Sequence, residues 1–572
     1  MNLLRLKQII LLLGMTACMH MAAVFPAGAQ TAIPGSVDPS RIGMTGDAPP
    51  SASMAVPQAT DAQPRQTGDI SIAGAESILF TLVDLKIVGM EAYPAGKFLG
   101  DYINLLGKPV TLQQVIDVAN RINRTYRDDG YIFSRAFFPE QDITAGTVTI
   151  QIVEGNIRNV VMQDVNPAEK QELQPYLDRI ANVHPFNIKG FEHWLLVMNG
   201  LPGAKFRSVL RQPDDKEPGA IEVVLLKENT GGQGVIGVDN YGSRYAGPYQ
   251  ASLSYDQPRI FDAYDMLSLR LSATLPWDEV KYGQLGYERP IDSVPGLSIN
   301  THIGWGGTES GSNLSDLDVK GYSRDFRVGL TYEALLNRRT NLLMYLNFDM
   351  KNARSKILGD RLYDDRLRVL RVSTAFQHID DLNGSTLLTG ELSQGLDILG
   401  ARETGSFELS RDDGHSDFTK VTAQISRLQN LPRNFQMLMQ VAGQYAFDPL
   451  LSGEEFGYGG GSVGRGLDPS EITGDHGMSA TLEVRYNGLP AWAKFTFQPY
   501  AFMDFGKIWQ KGTAAANSTS SLSTGMGTRI EFDQATSMNL MMALPLTFAS
   551  DNPPPYANGE SPRYLFSLSR KF

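Results

Sequence analysis

Lys494-Phe495-Thr496-Phe497-Gln498-Pro499-Tyr500-Ala501-Phe502-Met503-Asp504-Phe505-Gly506 decides the fold. In a strand, alternate side chains point to opposite faces. Phe495, Phe497, Pro499, Ala501, Met503 and Phe505 then form one wholly apolar face, and Lys494, Thr496, Gln498, Tyr500, Phe502 and Asp504 form the other. A tilted strand of about 9–11 residues crosses a membrane. A charge on its lipid face costs up to a few kcal/mol, depending on depth. The apolar face therefore fits lipid, and periodicity alone turns Asp504 into a lumen.

The same pattern recurs on both sides. Met478, Ala480, Leu482, Val484 and Tyr486 alternate with Ser479, Thr481, Glu483 and Arg485. Met538, Leu540, Met542, Leu544, Leu546 and Phe548 repeat it, as do Phe435, Met437, Met439, Val441, Gly443, Tyr445 and Phe447. From residue 229 to 572 about sixteen such segments follow one another, an even number as a bacterial barrel requires. They start near 233, 248, 263, 278, 296, 322, 340, 364, 383, 417, 435, 478, 494, 522, 536 and 563. A soluble sandwich is the rival, but its strands usually run to about 5–6 residues. In the last segment Tyr564, Phe566, Leu568, Arg570 and Phe572 share one face. A terminal Phe572 is the usual recognition signal of outer-membrane barrels.

The start of the chain agrees with export. Arg5 and Lys7 precede the apolar run Ile9–Leu13, and Ala27-Gly28-Ala29 has the small-x-small form of a cleavage site. Residues 1–29 read as a secretory signal peptide. Lipid attachment at Cys18, the only cysteine, is the alternative, although Met15-Thr16-Ala17-Cys18 is a poor lipobox. Cleavage near Ala29 leaves no thiol for disulfides, catalysis or metal ligation. Mean hydropathy is −0.20 over 572 residues, which excludes a helical membrane protein. A net charge of −11 argues against a non-specific nucleic-acid binder.

Residues 30–76 are rich in Pro, Ala, Gly, Ser, Gln and Asp and hold too few large apolar residues for a core, so they read as a flexible linker. Residues 77–155 then change character. Phe80–Ile87 looks like one strand. Thr111 opens a helix with Gln114 in capping-box spacing, Gly130 ends it, and strands follow around Ile132–Phe138 and Val148–Val153. Residues 156–228 repeat the order, with a strand at Asn159–Met162, helices at Pro167–Ile180 and Ile188–Met198, and strands at Phe206–Arg211 and Ile221–Leu226. Two tandem α+β units of about 75 residues form an internal repeat.

The longest late connection, Asp448 to Gly477, follows the eleventh segment. A chain entering from the periplasm places it outside the cell. It contains Gly457-Tyr458-Gly459-Gly460-Gly461-Ser462-Val463-Gly464-Arg465-Gly466-Leu467. On these residues alone two readings stand. One is an external loop with a solvated arginine. The other is a loop folded back through the barrel, with Arg465 anchored on a lumenal carboxylate.

These motifs resemble the outer-membrane transporters of two-partner secretion, the haemolysin secretion/activation type within the Omp85 superfamily. Gly464-Arg465-Gly466-Leu467 stands where that family has Val-Arg-Gly-Tyr, keeping Arg465 and Gly466 and departing at Gly464 and Leu467. Phe502-Met503-Asp504-Phe505-Gly506 keeps Phe502, Asp504 and Gly506 of the partner motif Phe-x-Asp-x-Gly. Pro139-Glu140-Gln141, Gly146 and Glu154-Gly155 resemble the first periplasmic module, called POTRA, and Leu201-Pro202-Gly203 the second. The resemblance covers roughly residues 77–572. It implies a segment at 30–76 that plugs the barrel, as the alternative to a linker, POTRA domains at 77–155 and 156–228, a transmembrane barrel over 229–572, and Arg465 meeting Asp504 in the lumen. It also implies an outer-membrane pore that captures an unfolded exoprotein of adhesin or haemolysin type in the periplasm and secretes it without ATP. Outer-membrane lipid, lipopolysaccharide and the barrel-assembly machinery are the further expected partners. An Omp85-type factor that inserts outer-membrane proteins, or a passive porin, is the alternative.

No His-Glu-x-x-His or P-loop occurs, so neither an enzyme nor a cofactor is expected. His193 beside Trp194, Arg338-Arg339, Asp380-Asp381 and Asp412-Asp413 read as partly exposed packing, turn charges and solvated loops.

Overall fold

The computed structural model describes residues 35–41, 69–163, 165–215, 217–491, 494–512, 518–550 and 561–572. The expected signal peptide, Cys18 and most of the 30–76 segment lie outside these residues.

The first unit is built on a capped helix, Leu112–Asp129. The Thr111 side chain accepts from the Gln114 backbone and Gln114 returns the bond, which satisfies two otherwise orphaned donors. Gly130 ends the helix at φ +100°, the left-handed conformation glycine tolerates. Val115, Val118, Ala119, Ile122 and Tyr126 bury against a sheet in which Thr147–Val153 pairs in parallel with Asp84–Val88 and antiparallel with Arg135–Phe137. The single strand expected over Phe80–Ile87 is two. Leu79–Thr81 pairs with Pro109–Thr111, and Asp84–Val88 joins the main sheet. Leu82 lies between them, fully buried, and bonds through its backbone to Gly107 and Lys108. That contact is long-range, so no local pattern announces the break.

The second unit repeats the order. Asn156–Gln163 runs parallel to Ala220–Asn229, Ala204–Arg211 runs antiparallel to it, and the helices Pro167–Ala181 and Ile188–Asn199 cover one face. Asn166 and Asn187 cap those helices.

Sixteen antiparallel strands then close into a barrel, from Gln233–Asp239 to Arg563–Lys571. The register keeps the seam short. Only Ser567 to Lys571 face Asp239 to Val235, and reciprocal backbone bonds between Phe572 and Gly234 extend it, each 2.9 Å. The Phe572 ring fills the space where a Cβ on Gly234 would stand and stacks on Tyr255. Among the described residues no helix is long and apolar enough to cross a membrane. The sixth to eighth strands, Lys320–Leu336, Thr340–Ile357 and Asp360–Ile379, are the longest, at 17, 18 and 20 residues.

The second unit rests on the periplasmic turns of the barrel. Tyr264, from the turn after the second barrel strand, enters that unit's core, and the His193 ring bonds the Leu336 backbone while stacking edge-on with Trp194. Arg338 pairs with Glu192 and Arg339 with Asp381, so the adjacent arginines bind two different elements. Asp380 caps its own turn and pairs with Arg427.

Candidate functional site

The connection after the eleventh barrel strand (Phe435–Ala446) enters the lumen and crosses it. At its root a short turn, Ser452–Glu454, is fully buried. Glu454 there meets Arg371 of the eighth strand at 2.7 Å, Lys420 of the tenth at 2.8 Å and Lys351 of the seventh at 3.6 Å. Arg371 is held in turn by Asp349 and Glu391. Arg411, from the external loop after the ninth strand, pairs with Glu455 and with Asp475 at the loop's far end.

At the tip stands Arg465. Its Nε and Nη2 donate to Asp504 at 2.9 and 2.8 Å, its backbone N–H adds a third bond at 3.1 Å, and Nη1 donates to Glu483 at 2.6 Å. Thr481 donates to Asp504 as well, while Arg485 and Arg529 share Glu483. Arg465, Glu483 and Asp504 expose 4%, 2% and 0% of their surface, so these charges lean on each other rather than on water. Desolvation offsets much of such attraction, so the cluster fixes the loop's position more than it adds net stability.

The flanking motif residues make the fit possible. A Cβ on Gly466 would come within 2.8 Å of Ser523, and one on Gly506 within 2.4 Å of the Tyr458 ring. Phe502 lies beneath the Arg465 guanidinium and over Gly525. At the two positions where the loop motif departs from the family, Gly464 adopts φ +68°, and Leu467 is buried with Tyr458, Ile472 and Ile508. Beyond the tip, Asp468 pairs with Arg563 of the last strand and with Arg244 after the first. Arg465, Gly466, Phe502, Asp504 and Gly506 thus share one lumenal site, and Phe572 sits apart at the seam.

The remaining motif residues lie in the first α+β unit. Both amide atoms of Gln141 bond the Thr149 backbone, and Nε2 also reaches the Pro139 carbonyl, so the side chain acts as a short extra strand. Gly155 has no room for a Cβ beside Phe133. Neighbouring Glu154 gathers the Tyr126 hydroxyl and the Glu91 and Ala92 N–H groups; burial and that carboxylate push the Tyr126 phenol far above its ordinary range.

Residues 35–41 occupy the extracellular end of the lumen. Val37 is buried with Tyr245, Ala246 and Val319. Tyr363 donates to Asp38, and Arg41 donates to the Ser452 and Glu455 carbonyls of the loop root at 2.6 and 3.1 Å. Below the root lies a polar cavity of about 620 Å³, lined by Arg327, Tyr345, Lys351, Arg371, Glu391 and Lys420. Among the described residues no group of His, Cys, Asp and Glu is placed to hold a metal.

Sequence reasoning overlooked the Glu454 cluster, the share of Glu483 in holding Arg465, and the seat of residues 35–41. Strand parity had put Glu483 on the polar face. The adjacent acids Glu454-Glu455 at the loop root were the available hint of the rest.

A family model described as haemolysin secretion/activation protein ShlB/FhaC/HecB matches residues 220–530, and a ShlB-type POTRA domain model matches 80–155. The heme/hemopexin transporter protein HuxB of Haemophilus influenzae is 24% identical over 464 residues, 77% of this chain and 79% of its own. The outer membrane transporter CdiB of Dickeya dadantii is 24% identical, covering 70% and 71%. The solved structure of CdiB from Escherichia coli superposes with a TM-score of 0.70 at 18% identity, over 89% of this chain and 94% of that one.

Proposed function

The chain belongs to the haemolysin secretion/activation protein family, ShlB/FhaC/HecB, and from that premise we propose that it exports one large, unfolded, β-rich exoprotein. Members of this family are outer-membrane transporters of two-partner secretion whose POTRA domains lie in the periplasm. The observation that carries the proposal is the loop crossing the lumen on two buried charge clusters, Glu454 with Arg371 and Lys420, and Arg465 with Asp504 and Glu483. A passive porin needs neither such a loop nor two periplasmic modules.

In this reading the POTRA domains are residues 77–155 and 156–228, and the pore is 229–572. The client docks as an added strand on an exposed sheet edge, where unpaired backbone groups offer a ladder. Asn156–Gln163 and Ala204–Arg211 are such edges, each bonded on one side only. Residues 35–41 and the loop keep the resting pore narrow. Arg465 and Asp504, aided by Phe502, Gly466 and Gly506, hold the loop tip, and Pro139, Gln141 and Gly155 shape the first module. Client entry displaces loop and segment, and folding outside gives the transfer its direction, with no ATP consumed. The client is an adhesin, haemolysin or contact-dependent toxin.

Deleting residues 77–155 tests this. One large exoprotein should disappear from the medium while the barrel still migrates as a folded, heat-modifiable band. Loss of small-solute uptake with an unchanged exoproteome would refute the reading.

A further inference from the structure

The outward face of the fifth to eighth barrel strands is apolar through its middle, where Ile303 faces Phe326 and Val328, Phe348 and Leu370 form the next row. Toward the extracellular end the chemistry changes. Residues paired across strands share a face, so the register gives each row directly. Phe326, Met350 and Arg368 form one row; Trp305, Arg324, Asn352 and Arg366 the next; Tyr322, Arg354 and Asp364 the third. Trp305 and Tyr322 are about half exposed, as side chains in an interfacial aromatic girdle are.

Arg324, Arg354 and Arg366 therefore face the lipid at the level of the outer headgroups, while Arg368 is buried beneath the next external loop. They are incompletely neutralised. Arg354 and Arg366 share Asp364 at 3.4 and 3.0 Å, and Arg402 of the next external loop reaches the same carboxylate at 4.0 Å. Arg368 donates only to neutral oxygens, those of Asn352, Leu367 and Leu399. Among the described residues no carboxylate lies within ion-pair distance of Arg324. A chain of net charge −11 thus turns a cationic patch toward the membrane here.

We infer that this patch binds the phosphorylated glycolipid of the outer leaflet, lipopolysaccharide, through its lipid A phosphates. Planar guanidinium forks match phosphate oxygens in pairs. Arg324 and Arg366 stand two strands apart, roughly 10 Å. That span takes two phosphates on one sugar headgroup rather than a single phosphodiester. The acyl chains then lie along Phe326, Val328, Phe348 and Leu370. The missing negative charge comes from the lipid, which removes the cost of uncompensated cations at the interface.

Native mass spectrometry of the full-length protein in detergent, titrated with purified bisphosphoryl lipid A, tests the site. The Arg324→Gln/Arg366→Gln double variant should bind lipid A at least about tenfold more weakly, the loss of one or two charge-assisted contacts. Arg338→Gln, at the periplasmic end, should bind as the native protein does. Heat-modifiable migration verifies that each barrel is folded. Unchanged binding by the folded double variant would overturn the site. Equal retention of phosphatidylglycerol and lipid A by the native protein would overturn the ligand.

Discussion

The Arg465 guanidinium lies flat over the ring of Phe502, its Cζ 3.4 Å from the centroid, while its edge holds Asp504 two residues further along the same strand. Ring and carboxylate thus read the face and the edge of one planar cation. Lysine keeps the charge but has neither the fork nor the flat face. Arg465→Lys should reduce export severalfold, and Arg465→Ala should reduce it further. Removing one partner of a buried pair costs about 3–5 kcal/mol, because the other charge is left uncompensated. Exoprotein in the medium, scored against folded protein in the membrane, checks this. Full export by the alanine variant would remove the loop tip from the mechanism.

The root cluster predicts a different phenotype. Glu454→Gln leaves Arg371 and Lys420 facing each other with less compensation, again about 3–5 kcal/mol. The loop root should detach from the wall more often while its tip stays paired. Planar-bilayer recordings should show more frequent open events, and a native-like trace would count against the root as an anchor.

Residues 35–41 should add to the resting closure. Arg41→Ala removes two bonds to the loop root, and Gly35→Val drives a Cβ to within 2.5 Å of the Ser470 carbonyl. Both variants should raise sensitivity to bulky antibiotics that the native strain excludes. Unaltered inhibitory concentrations would show that the segment does not narrow the pore.

The junction between the second POTRA unit and the barrel should respond to pH. Burial, together with Asp262 and Asp292, pushes the Glu172 carboxyl up to about 7, against the nearby Arg289. An acid with a raised pKa favours the docked state while protonated. Its contribution is complete below the ordinary carboxylate range and is lost as pH climbs through about 7. Cross-linking between the unit and the periplasmic turns should weaken as pH rises from the ordinary carboxylate range to about 7. Glu172→Gln should flatten that dependence, and a slope kept by the variant would assign it to another group.

Much of this was legible beforehand because a membrane strand carries its address in its parity. Asp504 was placed in the lumen by the apolar residues on either side of it, and counting strands put the Arg465 loop on the external side. The α+β units were legible through capping residues such as Thr111 and Asn187. What stayed hidden depended on contacts between distant segments. Leu82 divides a strand because residues 107 and 108 bind it. Glu454 looks like any loop acid until the wall is assembled around it. The Pro-rich composition near Val37 argued for a linker, yet the surfaces that hold it lie hundreds of residues downstream.

Those separations also order the assembly. Arg465 reaches Glu483 and Asp504 across only 18 and 39 residues, and Lys420 reaches Glu454 across 34. Both ends of the loop can dock on neighbouring strands while the sheet is still an open ribbon. Asp38 and Arg41, in contrast, find partners 325 and 411 residues away. Contacts closing such long stretches form late. The loop can therefore dock on its own strands before the sheet closes, whereas the N-terminal segment docks only once the wall at Tyr363 and the loop root at Glu455 stand beside it.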